Sequence, residues 1–466
     1  MKRLICCAGF ILALSGSLVA QEFPVETIFE NGEKEYRINL VFLSDGYKQS
    51  ELDQFITDVN GVLEDIFKQS PFKEYKTYFN AYAIKVPSNQ SGADHPQNTP
   101  DTDCDPVPIM SVDNYFGSTF DYAGIHRLLV PVNSTALADV LADNFPTYDQ
   151  AFILVNSEYY GGSGGHYATS STNIASSEVS IHEIGHSFAF LADEYWIPSQ
   201  GEAPNRTTVS SPATVKWKNW IGKNNISVFE YQAGAGWYRP HQNCKMRFLD
   251  VPFCSVCKEA FVERIHAFVN PFIDYAPVEA EFDLNEGSVD LSLELLPPTP
   301  NTMKITWKRN GNEMKNKRNL QQVTIPATTL AGETTFEAII MDTTELTRSN
   351  AHKTNHVYSV TWTISSNSIT GIEVSSAKAE YEISVYPNPV IDVLNLSYSL
   401  SKDSQVSVSF SDITGKRTRK LVDEKQHAGK HLYQVKASDL NMNASGLYYM
   451  DLTINGIKVV EKLVRP

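Results

Sequence analysis

Cysteine is scarce in this chain: six residues in 466, two of which, Cys6 and Cys7, stand at the extreme N-terminus. Basic residues are also in deficit. Lys and Arg number 39 against 54 Asp and Glu, leaving a formal charge of −15. Phosphate binding needs clustered Lys and Arg, so this balance argues against nucleic acid and an anionic membrane surface as partners. After the first residues no apolar run approaches the roughly 20 positions a membrane-spanning helix requires. Hydrophobic content of 42% and charged content of 20% carry no mark of global disorder or of a repeat array. A chain this long exceeds what one hydrophobic core usually organises, which predicts roughly two to four domains.

What the N-terminus does have is a targeting pattern. Met1-Lys2-Arg3 is a short basic head, Leu4 to Leu14 is apolar, and Ala20 is a small residue before Gln21. This predicts a cleaved signal peptide over residues 1–20 and a secreted or cell-surface destination. Four cysteines then remain: Cys104, Cys244, Cys254 and Cys257. In an oxidising compartment an even number predicts two disulfides. The Cys254-x-x-Cys257 spacing also suits a zinc ribbon, but that needs a second close pair, which Cys104 and Cys244 are not.

Apolar periodicity divides the remainder. Tyr36–Leu43 reads as a strand running into a Ser44-Asp45-Gly46 turn. A helix follows from about Ser50, with Leu52, Phe55, Val59, Leu63 and Phe67 at helical spacing. Further strands are expected at Phe79–Val86, Arg127–Val132 and Ala151–Asn156. Next come the glycine-rich residues 161–165 and a helix from about Glu178, capped by Ser176 or Ser177. This makes residues 21–273 an α/β domain. From residue 274 the texture becomes short alternating segments between Pro-, Gly- and Asn-rich turns, the pattern of a small antiparallel immunoglobulin-like sandwich over 274–366. A Ser-rich linker, 367–382, leads to a second β-sandwich at 383–466.

The chemistry concentrates at His182-Glu183-Ile184-Gly185-His186. On a helix, residues four apart share a face, so both imidazoles can meet one zinc ion while Glu183 reaches a water beside it as general base. Ile181, Ile184, Phe188 and Leu191 form an apolar stripe that anchors the helix. A catalytic zinc normally takes a third protein ligand. Asp193, Glu194, His241, Glu259 and Glu263 are the candidates. In an unbroken helix Asp193 would lie about 10 Å beyond His186, so it ligates only if the helix ends early and the chain turns back.

The stretch from His182 to Tyr195 resembles the active-site segment of the immunoglobulin A peptidase family of metallopeptidases. The resemblance extends to Leu43-Ser44-Asp45-Gly46-Tyr47, Tyr160-Gly161-Gly162-Ser163-Gly164-Gly165, Tyr238-Arg239-Pro240, Cys244-Lys245-Met246-Arg247 and Phe253-Cys254-Ser255-Val256-Cys257. That family is similar to metzincins, which implies an α/β zincin fold with a methionine turn, at Met246, beneath one catalytic zinc. Metzincins place a Gly and the third ligand where this chain has Ala189 and Ala192. The resemblance therefore implies Asp193 as a ligand displaced by one residue, with His241 and then Glu194 next. Tyr238, close before Met246, is the candidate neutral donor to an oxyanion. The glycine-rich segment is expected to edge the cleft, where an extended peptide can add as a strand.

Asp94, Asp101, Asp103 and Asp105 could offer oxygens to calcium, but the Gly and terminal Glu of an EF-hand loop are lacking, so a solvated loop is the expectation. Val385-Tyr386-Pro387-Asn388-Pro389, Ser411–Lys416 and Gly446-Leu447-Tyr448-Tyr449 resemble type A sorting domains of the type IX secretion system. That implies recognition by secretion machinery. The expected activity is zinc-dependent cleavage of a protein or glycoprotein substrate, immunoglobulin A being the one the family resemblance implies. The alternative is a surface adhesin whose peptidase-like domain binds without cutting, against which the intact Glu183 argues.

Overall fold

A computed structural model gives the structure of the chain over residues 22–97, 108–197, 201–330, 332–366, 378, 380–414 and 416–466. The expected signal peptide, Cys104, the Asp101, Asp103 and Asp105 carboxylates and most of the expected linker lie outside these residues. The secondary structure is mixed and mostly β, in several small sheets. The chain divides into two compact units. Of the described residues, one gathers those up to Asp274 with Leu293–Thr306 and Ile339–Ser359; the other gathers those of Tyr275–Ser292, Trp307–Ala338 and Val360–Pro466.

The first unit is organised by a six-stranded sheet. Its strands are β1 (Val25–Phe29), β2 (Ile38–Asp45), β3 (Phe79–Ile84), β4 (Gln150–Val155), β5 (Gly162–Ser163) and β6 (Ala168–Ser171). They lie in the order β1-β3-β2-β4-β6-β5. The pairs β2–β3, β2–β4 and β4–β6 are parallel, whereas β1 and β5 run antiparallel at the edges. Every residue of β2 is buried, as expected for a parallel strand covered on both faces. Ile38, Leu40 and Phe42 point to one core, which also holds apolar residues of α1 (Leu52–Lys68), α3 (Ser176–Ser187) and α4 (Ser255–Phe268). Val41 and Leu43 point to the other, which holds Leu137, Val140 and Leu141 of α2 (Ser134–Asn144).

Several local expectations shift. The helix carrying the histidine pair begins with Ala175 at its N-cap rather than Ser176 or Ser177, without a side-chain cap. The strand expected over Arg127–Val132 shrinks to Val130–Pro131, paired with Ser118–Thr119. Asp45, read as part of a turn, ends β2 fully buried. Its carboxylate accepts from the backbone N–H of Phe116 at 3.0 Å and of Ser118 at 3.2 Å.

The expected disulfides are not formed among the described residues: Cys244, Cys254 and Cys257 are buried free thiols. Cys257 Sγ stands 3.6 Å from Cys244 Sγ and from Cys254 Sγ, far beyond the roughly 2.05 Å of an S–S bond.

In the second unit, Ser288–Ser292 pairs antiparallel with Gln322–Pro326, and Trp307 stacks on Trp362 at 5.8 Å between ring centroids. Glu281–Asp283 runs parallel to Thr363–Ser365, a departure from the wholly antiparallel sandwich expected. The last part of the chain forms a three-stranded and a four-stranded sheet closing on Leu396, Val408, Phe410, Met450 and Leu452. No helix among the described residues is long and apolar enough to cross a membrane.

Candidate active site

The helix α3 stops at Ser187, and the next few residues decide the site. Phe190 takes a left-handed backbone conformation (φ 54°), uncommon for a bulky residue and the means of a sharp reversal. The Leu191 N–H then donates to the Gly185 carbonyl at 2.9 Å. The buried Asn205 amide clamps Ala192 from both sides, accepting from its N–H at 2.8 Å and donating to its carbonyl at 2.7 Å. This turn carries Asp193 back beneath the histidines. Its Oδ1 lies 3.1 Å from His182 Nε2 and 3.2 Å from His186 Nε2, and the two Nε2 atoms are 3.2 Å apart.

Each imidazole is held from behind. His182 Nδ1 lies 2.9 Å from the Lys245 carbonyl and His186 Nδ1 lies 2.8 Å from the Leu191 carbonyl. A carbonyl only accepts, so both Nδ1 atoms carry hydrogen and turn Nε2 inward. That is the arrangement by which outer partners fix a metal-binding histidine. Two nitrogens and an oxygen about 2.0–2.1 Å from a tetrahedral ion would be about 3.3 Å apart, so this triangle fits zinc. Burial alone works against charge on His186, but the Asp193 carboxylate outweighs it and pushes the imidazole up to about 9. The same burial would raise Asp193, yet the two imidazoles hold it well below the usual carboxylate range.

The histidine pair, Glu183 and Asp193 line a cleft of about 760 Å³, with Tyr195, Arg247 and Phe248 among its other walls. Burial raises the Glu183 carboxyl above its ordinary value. The glycine-rich segment runs along the same cleft. A Cβ on Gly164 would sit only 2.3 Å from Glu183 Oε2, so the backbone approaches the carboxylate as closely as glycine permits. The edge of β5 is partly taken, because Leu128 bridges to Gly162. What remains along the cleft is 163–165. Below α3, Met246 is fully buried, its Sδ 2.6 Å from where a Cβ on Gly185 would stand.

The remaining candidates go elsewhere. His241 is half-exposed and its Nδ1 pairs with Asn243. Glu259 accepts from Trp220 Nε1 at 2.8 Å, and Glu263 pairs with His352 and His356. Glu194 is buried against the three thiols. Tyr238 pairs through its backbone with Thr207 and does not line the cleft. Tyr195, which the sequence reading passed over, does line it. Burial and the Asp193 and Glu183 carboxylates raise its phenol, so it stays a proton donor. Its position directly after the Asp193-Glu194 pair was the available signal.

Residues 27–228 match the family described as IgA Peptidase M64, and residues 384–465 match the secretion system C-terminal sorting domain. No curated protein sequence matches the chain. Among solved structures it is similar to dimeric latent PorU from Porphyromonas gingivalis, with 13% identity over 42% of this chain and 20% of that chain, TM-score 0.15. It is also similar to a Parabacteroides merdae β-glucuronidase, with 8% identity over 44% of this chain and 26% of that one, TM-score 0.15. A titin Ig tandem is 14% identical over 40% of this chain and 90% of its own length, TM-score 0.14. The chain thus spans about a fifth of the PorU chain and a quarter of the glucuronidase. The match to the sorting domain indicates export to the cell surface or beyond. Over residues 27–228 the chain thus resembles the IgA peptidase M64 family, and over residues 384–465 it resembles a type IX sorting domain.

Proposed function

We propose that this chain is an exported zinc-dependent endopeptidase of metzincin-like design, with His182, His186 and Asp193 as zinc ligands and Glu183 as general base. The observation that carries the reading is the triangle of inward-facing donor atoms at 3.1–3.2 Å with Glu183 beside it in an open cleft. Zinc held there would supply Lewis-acid polarisation of the scissile carbonyl and acidify a water. Glu183 takes the proton from the attacking water and returns it to the departing amine. The Gly164 backbone fixes where its Oε2 can stand. Tyr195 donates its phenolic hydrogen to the developing oxyanion; Tyr238 takes that role only if it reaches the cleft. Met246 under Gly185 supports the helix from below, in keeping with a methionine turn. The loop at 163–165 offers backbone groups to an extended substrate.

The substrate class follows the family description: immunoglobulin A or another glycoprotein. The decisive experiment pairs metal analysis with cleavage of a peptide library. Glu183→Gln is expected to keep its catalytic zinc and lose cleavage; cleavage at the wild-type rate refutes the mechanism. Mass mapping of products from immunoglobulin A and from mucin-like proteins then assigns the substrate.

A further inference from the structure

Away from the cleft, a second donor set is assembled from buried side chains. Cys244, Cys257 and Glu194 are fully buried and Cys254 is nearly so. Cys257 Sγ lies 3.6 Å from both Cys244 Sγ and Cys254 Sγ, and 3.4 Å from Glu194 Oε1. All four donor atoms fall within 4.8 Å of one another. Four ligands around a tetrahedral zinc, with sulfur at about 2.3 Å and oxygen at about 2.1 Å, would stand about 3.8 Å apart for S–S pairs and about 3.6 Å for S–O pairs. The observed spacings match that figure and match no covalent bond.

Three features need an explanation that thiols alone do not give. A carboxylate is buried against sulfur, with Asn205 donating to Oε1 at 3.1 Å while Oε2 has no hydrogen-bond partner among the described residues. Burying such a group is expensive unless a cation meets it. Among the described residues the thiols here are three, so joining any two of them as a disulfide strands the third beside Glu194. The Cys254 N–H donates to Cys244 Sγ at 3.3 Å, which favours a thiolate there. Cys254 and Cys257 also sit at the N-terminus of α4, where the helix end favours negative charge.

We propose that Glu194, Cys244, Cys254 and Cys257 bind a structural zinc ion, closed and four-coordinate, separate from the site in the cleft. Binding replaces the three thiol hydrogens, which leave as protons, and no redox partner is involved. The ion would tie together three segments. One is the turn that delivers Asp193, the second is the loop whose Lys245 carbonyl holds His182, and the third is the start of α4. The Glu194 N–H already donates to the Met246 carbonyl at 2.6 Å between the first two.

The test uses the full chain produced with zinc. The double variant H182A/H186A removes the cleft donors, and elemental analysis is expected to find about one zinc per chain remaining. Adding C254S/C257S to it is expected to remove that ion as well. Because the cysteine variants can misfold, two measurements rest on H182A/H186A alone. Cobalt substitution is expected to give thiolate-to-cobalt charge-transfer absorption. Native alkylation of Cys244, Cys254 and Cys257 is expected to be blocked until a chelator is added. The proposal is overturned if H182A/H186A binds no zinc, or if mass mapping of the denatured chain finds a disulfide between any two of the three cysteines. Failure of the peptidase reading leaves this ion count unchanged, so the two proposals fail separately.

Discussion

Adding one methyl group at Gly164 is a direct probe of the proposed general base. A Cβ at that position would lie 2.3 Å from Glu183 Oε2, 3.0 Å from His186 Cδ2 and 3.1 Å from His186 Cβ. Real carbon–oxygen contacts of this kind sit near 3.3 Å, so the carboxylate must retreat by about 1 Å. Glu183 is a flexible side chain, and moving its end disturbs no packed backbone, so global stability should change by less than about 1 kcal/mol. The proton-transfer geometry is less forgiving, since a 1 Å misplacement at a reacting centre costs about 10²-fold in rate. Gly164→Ala is therefore expected to lower kcat about a hundredfold, with zinc content and Tm close to wild type. Gly165 supplies the control, because a Cβ there meets nothing within 4 Å among the described residues. Gly165→Ala should keep its rate. Steady-state kinetics on a quenched peptide, with metal analysis and thermal melts of the same samples, reads all of this. Equal rates for the two variants would refute the placement of Glu183 as the base.

Asp193→Asn keeps the size of the side chain but removes the charge, and should weaken zinc retention by at least about 10²-fold in a chelator competition; unchanged retention points to another third ligand. Tyr195→Phe should cost about 10²–10³ in kcat at constant zinc content, and Tyr238→Phe little; the reverse result restores the donor role to Tyr238. Glu263 is held at about 2, because the His352, His356 and Thr347 hydrogen bonds outweigh the burial that would raise it. Its stabilisation is present above the unfolded value near pH 4.3 and fades as pH falls toward about 2. The His352 imidazole is raised by Glu263 against its own burial. Its share is full below about pH 6.5 and is lost as pH rises through the folded value. His352→Gln should therefore be less stable to unfolding than wild type at pH 6 by about 1–2 kcal/mol, with the gap closing toward alkaline pH. A gap independent of pH would show that the pair contributes packing alone.

The histidine pair was readable because helical periodicity is local: positions 182 and 186 share a face whatever surrounds them. Asp193 was readable only conditionally. Its use required a reversal, and the residue that makes it, Phe190, is of a type that rarely adopts positive φ. The metzincin pattern placed glycine one position earlier, at Ala189. The thiol cluster was misread for another reason. Counting cysteines assumes that they seek one another, whereas here Glu194, weighed as a ligand for the catalytic ion, completes the set. The individual strands of the last domain are hardest to read where they are charged: Arg417–Gln426 lies at the edge of its four-stranded sheet, where an apolar alternation is not required.

The loop from Cys244 to Phe248 explains why sequence motifs scattered over many residues converge on one cleft. Cys244 turns to the buried thiols, while the Lys245 carbonyl orients His182. The Lys245 ammonium, itself buried, pairs with Glu178 in the first turn of α3. Met246 fills the space under Gly185, and Arg247 and Phe248 wall the cleft. Successive residues thus face different partners, so no periodicity of two or of 3.6 could mark the segment as ordered. A buried ion pair is weak support for stability, but it can select one arrangement over others. Here Lys245–Glu178 fixes the loop against the helix start while Met246 fixes it against the helix middle. Two anchors on one rigid helix leave the Lys245 carbonyl little freedom. The inward direction of His182 Nε2 is therefore set by the loop, and metal affinity should depend on this loop as well as on the ligands.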